Sequence, residues 1–181
     1  MADRDEILAS ASLLFATQPA ATMDEVAHAT GVSRATLFRR FPSRTALVSE
    51  LSRLAIDAYA DVVEQSRPEA GDPLTALDRL VRALAGIGAQ HGLLVLQPLP
   101  ALVETSLLAR AESADRRIRA LVHRGQSAGM LRTDLSADWV LLAVTWLCVG
   151  VADGVRQGRL APADVERLVA TTVLDGLRQQ P

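Results

Sequence analysis

Apolar residues recur at helical spacing along almost the whole chain, and the alternation typical of strands is scarce. The first apolar stripe consists of Ile7, Leu8, Ala11, Leu14 and Phe15, and Pro19 follows it. Three further helices are predicted at Met23 to Thr30, Arg34 to Arg40 and Arg44 to about Ser66. An apolar stripe from Leu77 to Gly88 predicts the next helix. The last four are predicted at Leu102 to Leu108, Ala111 to Ala128, Ala137 to about Gln157, and Pro162 to about Arg178. The pattern therefore predicts an all-α fold of about nine helices, without internal repeats.

Two short helices near the start form a helix-turn-helix pattern. Thr22 and Glu25 have the spacing of a capping box, in which each side chain bonds a backbone amide of the other residue. Gly31 supplies the backbone freedom that a tight turn needs, and Ser33 is a second capping residue. In such a pair the second helix enters the major groove of DNA, and its first residues meet the base edges.

Charge is segregated in the same part of the chain. The 181 residues carry a formal net charge of -2, and all nineteen basic residues are Arg. Residues 31–47 contain four Arg and no acidic residue, a charge of +4, so the rest of the chain carries -6 with fifteen Arg and twenty-one acidic residues. A local basic surface of this kind is typical of contact with a phosphate backbone. The alternative is a solvated basic face with no partner.

The same residues carry a family resemblance. Four stretches are similar to the DNA-binding module of the TetR family of bacterial transcriptional regulators, and they cover the first quarter of the chain. They are Ile7 to Ala11, Leu14 to Ala16, Thr22 to Ala27, and GVSRATLFRRFPSR at Gly31 to Arg44 with Ala46 and Leu47 after it. A second, independent stretch, Arg124 to Asp134, resembles the connector before the last two helices of many members.

The resemblance implies which residues contact DNA. The implied set is Thr22, Ser33, Arg34, Ala35, Thr36, Phe38, Arg39, Arg40 and Arg44. Arg34 and Thr36 would bond bases, Arg40 and Arg44 would bond phosphates, and Thr22 would lie where a helix start approaches a phosphate. Phe38 departs from the family pattern, which more often has a Tyr whose hydroxyl bonds a phosphate. The loop that contains Pro19 is about two residues shorter than usual, which would change the angle at which the second helix starts.

The segment Trp139 to Ala152 is apolar on all sides, with Thr145 its one polar residue. A helix of this kind needs cover on every face, so one face is expected to pack on its own chain and the other on a second copy. The expected interface residues are Trp139, Ala143, Trp146, Gly150, Gly154, Leu168, Thr172 and Val173. The TetR resemblance implies the same two-fold dimer of two helices per chain. The alternative is a central helix buried within one chain.

The region from about Ile56 to Met130 corresponds to the part of the TetR fold that encloses an effector pocket. Its interior candidates are nearly all aliphatic, so we expect an apolar small molecule or a filled core. The expected ligand contacts are Leu84, Ile87, His91, Gln97, Val103, Ile118, Val122 and Trp146. His91 lies on an apolar stripe, where a hydrogen-bonded core residue is the alternative interpretation.

The sequence contains few features typical of an enzyme or a membrane protein. The sequence has neither a phosphate-binding glycine motif nor His residues at helical spacing for a metal, so we expect no cofactor and no metal. Cys148 lies inside the apolar run, where a thiolate is disfavoured. The start of the chain is acidic and lacks the apolar run of a signal peptide, and the longest uncharged apolar stretch has fourteen residues. A span needs roughly 18 to 20. A cytoplasmic protein without a membrane partner is expected.

The sequence therefore predicts a DNA-binding domain at residues 1–46 and an effector-binding and dimerisation domain at residues 47–181. The chain is expected to be a ligand-responsive transcriptional repressor that binds a palindromic operator as a homodimer. The rival hypotheses are a helical binding or interaction module that has lost its operator, and a helical enzyme. The operator, the effector and the direction of the ligand's effect on DNA binding stay open at this stage.

Overall fold

A computed structural model describes residues 3–18, 20–91 and 105–179 of the chain. These residues form eight α-helices and one short 3-10 turn. They are α1 (Arg4–Thr17), α2 (Met23–Thr30), α3 (Arg34–Arg40), α4 (Arg44–Ser66), α5 (Pro73–His91), α6 (Thr105–Ser127), α7 (Ala137–Arg156), the 3-10 turn Pro162–Asp164, and α8 (Val165–Leu177). The all-α prediction is confirmed.

Two predicted details of the helices are wrong. The expected break between Leu108 and Ala111 is absent, because α6 runs unbroken from Thr105 to Ser127. Ala109 and Arg110, the two residues between Leu108 and Ala111, are both good helix formers, so nothing in the backbone forces a break there. Pro162 begins a 3-10 turn rather than the last α-helix, which starts at Val165. The chain thus has eight α-helices in its described part, against the nine expected.

Two separate hydrophobic cores divide the molecule. The smaller core lies among α1, α2, α3 and the start of α4, and we call this part the head (residues 3–52). The larger core lies among the end of α4 and α5 to α8, and we call this part the body (residues 53–91 and 105–179). Leu47, Val48 and Leu51 pack with the head. The change from one core to the other therefore lies inside α4.

Helix α5 is the centre of the body, where it packs against α4, α6, α7 and α8. A close approach to α7 is possible because α5 has Gly88 at the crossing. A Cβ atom at Gly88 would lie 2.7 Å from the Cβ of Cys148. An antiparallel bridge between Leu131 and Arg178 ties the chain's last segment to the connector before α7. These contacts fix α7 and α8 beside each other on one side of the body.

Helix α7 is long and apolar enough to cross a membrane by length and composition alone. Its inner face belongs to the body's core, where Val140, Val144 and Cys148 are buried. Its outer face is uncovered, with Trp139 and Trp146 more than half exposed. In the described residues α7 is therefore one helix of the bundle, with a second apolar face that the chain itself does not cover.

Candidate nucleic-acid interface

The first and last turns of α2 have the predicted capping geometry. The Oγ1 of Thr22 accepts a bond from the amide of Glu25 at 3.3 Å, and the Glu25 carboxylate accepts one from the amide of Thr22 at 2.7 Å. Backbone bonds from Thr22 lower the pKa of Glu25 below its usual value. At the other end Gly31 has φ +67°, a left-handed conformation that glycine adopts without strain. The turn then leads directly to α3.

Helix α3 presents a polar, basic face outward and an apolar face inward. Ser33 begins it, and the Ser33 hydroxyl accepts a bond from the amide of Thr36 at 3.2 Å. Leu37 is fully buried and Phe41 nearly so, and both belong to the core of the head. The residues predicted to contact DNA divide into an exposed set, Thr22, Ser33, Arg34, Ala35 and Arg39, and a half-buried set, Thr36, Phe38, Arg40 and Arg44.

Each of the three Phe residues of the chain lies beneath an arginine. Arg4 stacks on Phe41, Arg34 on Phe38, and Arg44 on Phe15, with guanidinium carbons 5.0, 5.3 and 5.0 Å from the ring centroids. A guanidinium over an aromatic face is attracted by the ring's quadrupole and still keeps its N–H groups at its edge. The sequence pattern did not reveal these pairs, because two of the three join residues that are distant along the chain.

Arg44 has a structural role that the sequence did not predict. Its Nε donates to the carbonyl of Ala21 at 3.1 Å, and its guanidinium covers Phe15. Arg44 therefore joins the start of α4 to the segment between α1 and α2. Thr22, the capping residue of α2, comes directly after that carbonyl. The arrangement holds Arg44 beside the start of α2, at the edge of the basic face.

The expected dimer residues fall into two groups. Trp139, Trp146, Gly150 and Thr172 are exposed, and Ala143 and Leu168 are half-buried. Gly154 and Val173 are buried in the chain's own interior and contribute no exposed surface to α7 or α8. A Cβ at Gly154 would meet the Leu160 side chain at 2.7 Å, which shows that this glycine serves packing inside the chain.

Sequence reasoning missed Leu142 as an interface candidate. Its side chain is 48% exposed, and it lies on the same face of α7 as Trp139 and Trp146. The signal was present, because residues 139, 142 and 146 have the spacing of one helical stripe. Together these side chains form the outer face of α7, a contiguous apolar surface of the kind that marks contact sites.

The expected ligand residues are mostly core residues. Leu84, Ile118 and Val122 are buried in the body's core, and Ile87 packs against it. Trp146 is 52% exposed on the outer face of α7 and does not belong to the body's core. Gln97 and Val103, and the side chain of His91, lie outside the described residues. A cavity of about 290 Å³ is lined instead by polar residues of the connector and the chain's end, among them Arg132 and Arg178.

Comparison with known proteins places this geometry in a family. Residues 7–51 match the family described as bacterial regulatory proteins, tetR family. The chain is 28% identical over 173 residues to the HTH-type transcriptional regulator NfxB of Pseudomonas aeruginosa, covering 95% of this chain and 92% of NfxB. It is 30% identical over 124 residues to the HTH-type transcriptional repressor LfrR of Mycolicibacterium smegmatis, covering 68% of this chain and 65% of LfrR. The chain belongs to the TetR family.

Solved structures show the same fold over the full chain. The TetR-family regulator PfmR of Thermus thermophilus superposes with a TM-score of 0.74 at 23% identity, covering 100% of this chain and 98% of PfmR. LfrR in complex with proflavine superposes with a TM-score of 0.70 at 25% identity, covering 96% and 94%. The family resemblance predicted from the first quarter of the sequence is thus confirmed.

Membership in the TetR family confirms the predicted class of function, a DNA-binding transcriptional regulator and not an enzyme. Burial raises the pKa of the Cys148 thiol to about 11, which keeps it protonated at neutral pH. In the described part of the chain, no group of three His, Cys, Asp or Glu side chains is arranged to hold a metal.

One polar pair inside this TetR-family body was not predicted. The Tyr59 hydroxyl on α4 donates to the Asp115 carboxylate on α6 at 2.5 Å. Burial and the adjacent carboxylate raise the pKa of Tyr59 well above its usual value. The sequence gives no sign of this pair, since 56 residues separate its members. It links the helix shared with the head to the helix that follows the undescribed segment 92–104.

Proposed function

We propose that the chain is a homodimeric repressor that reads a palindromic DNA operator with α3 and releases it when an apolar small molecule binds the body. The observation that carries the proposal is the outer face of α3, which is exposed, basic and held by a helix-turn-helix. Membership in a family of transcriptional regulators supports it. The place of action that fits this function is the cytoplasm.

The roles proposed for DNA contact follow from position on α2, α3 and α4. Arg34 and Thr36 lie in the first turn of α3, where side chains of a recognition helix meet base edges. Arg40 and Arg44 lie at the other end of α3 and the start of α4, where they would bond phosphates. Thr22, Ser33, Ala35, Phe38 and Arg39 complete the proposed surface.

The proposed dimer forms through the outer face of α7 and the exposed side of α8. Trp139, Leu142 and Trp146 would bury most of the apolar area, and Ala143 and Gly150 would allow the two backbones to approach closely. Leu168 and Thr172 of α8 lie at the side of this surface. A two-fold axis would then place two α3 helices against the two half-sites of a palindrome.

The proposed effector binds in the body, and its chemistry is apolar. The body's interior is lined by aliphatic side chains such as Leu84 and Ile118. LfrR, a transcriptional repressor to which this chain is similar, has been solved with proflavine bound. The effector would favour a conformation in which the two heads no longer match the half-site spacing, so its differential affinity supplies the switch. Proflavine, a planar aromatic cation that also intercalates into DNA, is a first probe, and its binding is measured on the chain in the absence of DNA.

The DNA proposal is tested with a duplex library that has a randomised core of about 20 base pairs, two helical turns. Repeated selection should yield a palindrome, and binding to it should weaken steeply with salt because phosphate contacts release counterions. Arg40→Ala should weaken binding to all duplexes and reduce the salt slope by about 1. If no salt-sensitive, sequence-preferring complex forms, the chain is a module that has lost its operator.

The dimer proposal is tested by sedimentation velocity. The wild-type chain should sediment as a dimer, and Trp146→Ser should shift it toward monomer. Leu13→Ser is the matched control, because Leu13 is 64% exposed on α1 and far from α7 in the sequence. A monomeric wild-type chain, or equal effects of the two substitutions, would refute the α7 interface.

A further inference from the structure

Arg34 is held by two side chains in the free protein. Its Nη1 donates to the Asp24 carboxylate on α2 at 3.0 Å, and its guanidinium carbon lies 5.3 Å from the ring centroid of Phe38. We propose that Asp24 and Phe38 are positioning residues that fix the Arg34 guanidinium for one guanine of the operator. The proposal rests on the proposed binding of DNA through α3, and it adds which base is read and what sets the preference.

Position on the two helices brings the three residues together. Arg34 and Phe38 are four residues apart on α3, so they share one face of that helix. Asp24 lies in the first turn of α2, and the Gly31 turn carries α3 back across it. Both charged side chains are well exposed, at 69% for Arg34 and 61% for Asp24. The triad therefore lies on the outer surface of the helix-turn-helix.

Exposure argues against a purely structural role for the pair. An ion pair in water contributes little to folding, because solvent screens it and two flexible side chains must be ordered. The same ordering is useful for recognition. An arginine that is already fixed by a carboxylate and a ring loses less conformational entropy when it meets a base than one that moves freely.

The N–H groups of Arg34 that do not bond Asp24 match the hydrogen-bond acceptors of guanine in the major groove. Arginine has five N–H groups in a planar fork, and Asp24 engages Nη1. Among the described residues, no partner is seen for the Nε and Nη2 edge, which presents two parallel donors. Guanine offers two acceptors in the major groove, O6 and N7, whereas adenine offers one acceptor and one donor. A fixed fork of two donors therefore selects guanine.

The role of Phe38 in this proposal is to support the Arg34 guanidinium with its ring face. The TetR resemblance places a Tyr more often at this position, where a hydroxyl would bond a phosphate. Phe38 has no hydroxyl, and its ring face carries the Arg34 guanidinium instead. The guanidinium lies between the ring below it and the carboxylate at its side, so its plane and its position are both restricted.

The test measures base preference rather than overall affinity. The wild-type chain selects its site from the randomised duplex library, and each guanine of that site is then replaced by adenine. Discrimination is the ratio of the two dissociation constants. Asp24→Asn removes the charge and keeps the size, and it should lower discrimination at one guanine by about 3 to 10-fold, a part of what a bidentate contact supplies. Phe38→Leu should lower it at the same guanine.

Two variants separate positioning from general effects. Phe38→Tyr keeps the ring and should retain the wild-type ratio. Asp5→Asn is the matched control, because it changes the head's charge by the same amount on the exposed start of α1 and should leave the ratio unchanged. In an Arg34→Ala background, Asp24→Asn should cause no further loss of discrimination, since the residue it positions is gone.

Each outcome has one meaning. If Asp24→Asn strengthens binding to all duplexes and leaves the ratio unchanged, the carboxylate only repels DNA and the inference is overturned. A loss of discrimination spread evenly over all positions would also overturn it, because it would indicate a disturbed fold. If the wild-type chain selects no sequence from the library, the proposed function itself has failed, and that result is distinct from both.

Discussion

The head and the body use the same cation in different ways. In the head, Arg4, Arg34 and Arg44 lie over the chain's three Phe rings, and Arg4 and Arg34 also pair with the carboxylates of Glu50 and Asp24. In the body, ten arginines pair with carboxylates, and two more donate to backbone carbonyls. The ten are Arg53, Arg82, Arg110, Arg116, Arg117, Arg119, Arg132, Arg156, Arg159 and Arg167.

The placement of acidic residues explains how a chain of net charge -2 can present a basic surface. A carboxylate beside an arginine reduces its field, as Asp24 does for Arg34, whereas an aromatic ring such as Phe15 beneath Arg44 holds the guanidinium without neutralising it. The body's arginines join α4, α6 and α7 and are neutralised by doing so, as in the pairs Arg110–Asp61 and Arg119–Asp138. Within the head, residues 31–47 contain four Arg and no acidic residue, so the positive charge is concentrated on that segment, where phosphate contact is proposed.

The largest expected effect is on the body's packing, which does not depend on charge. Gly88→Ala would place a Cβ 2.7 Å from the Cβ of Cys148, so α5 and α7 must separate. We expect the free energy of unfolding to fall by about 1 to 3 kcal/mol. Urea denaturation measures it. Gly86→Ala is the control on the same helix, since its Cβ would meet only the flexible Glu166 carboxylate at 3.3 Å. Equal losses would show that the α5–α7 contact is not close.

The next largest effect is a loss of stability in the head. It tests whether an arginine stacked on a Phe ring stabilises the fold. Arg44→Leu removes the bond to the Ala21 carbonyl and the stack on Phe15, so we expect a loss of about 1 to 2 kcal/mol in unfolding free energy. Arg44→Lys keeps the charge but not the planar fork. It should lose similar stability while retaining more DNA affinity. If the Lys variant is as stable as wild type, the stack contributes nothing.

The helices of the head could be predicted closely from the sequence. The capping box at Thr22, the glycine turn at Gly31 and the cap at Ser33 are local signals, and α2, α3 and α4 begin and end where those signals place them. Local hydrogen bonds decide such boundaries, so neighbouring residues carry the information. The family assignment followed from the same short segment.

Contacts between distant residues could not be predicted in this way. Periodicity shows that Gly154 and Val173 lie on helices, but not that Leu160 packs against Gly154 or that Val173 belongs to the body's core. The Arg44 bond to Ala21 spans 23 residues, and the Tyr59–Asp115 bond spans 56. The outer face of α7 was predictable in part, since an apolar run too large for one core needs a second cover.

A third prediction concerns the cap of α2, in which Thr22 and Glu25 each accept a bond from the other's backbone amide. Thr22→Ala removes the hydroxyl that accepts from the Glu25 amide, so we expect a loss of about 1 kcal/mol in unfolding free energy. Thr22→Ser should restore it, because it keeps the acceptor. The circular-dichroism melting temperature of both variants measures the effect. Equal melting of Ala and Ser variants would mean that the cap is not formed.

The smallest expected effect on the free energy of unfolding concerns Glu69 of the body, which pairs with Arg117. Glu69 bonds Arg117 at 2.5 Å, and this bond is the main reason that its pKa falls from 4.5 to about 2. Since the folded pKa lies below the unfolded one, the pair stabilises the fold above pH 4.5, and that contribution is lost as the pH falls toward 2. Because Glu69 is 59% exposed, we expect less than about 1 kcal/mol.

Glu69→Gln tests this pair by its pH dependence. The variant should be slightly less stable than wild type at pH 7, and the difference should disappear near pH 2, where the wild-type carboxyl is also protonated. Urea denaturation at several pH values measures both. Asp5→Asn is the control in the head, because Asp5 lies in the exposed first turn of α1. A difference that stays constant with pH would show that Glu69 acts through packing and not through its charge, and the contrast between head and body would then fail at this pair.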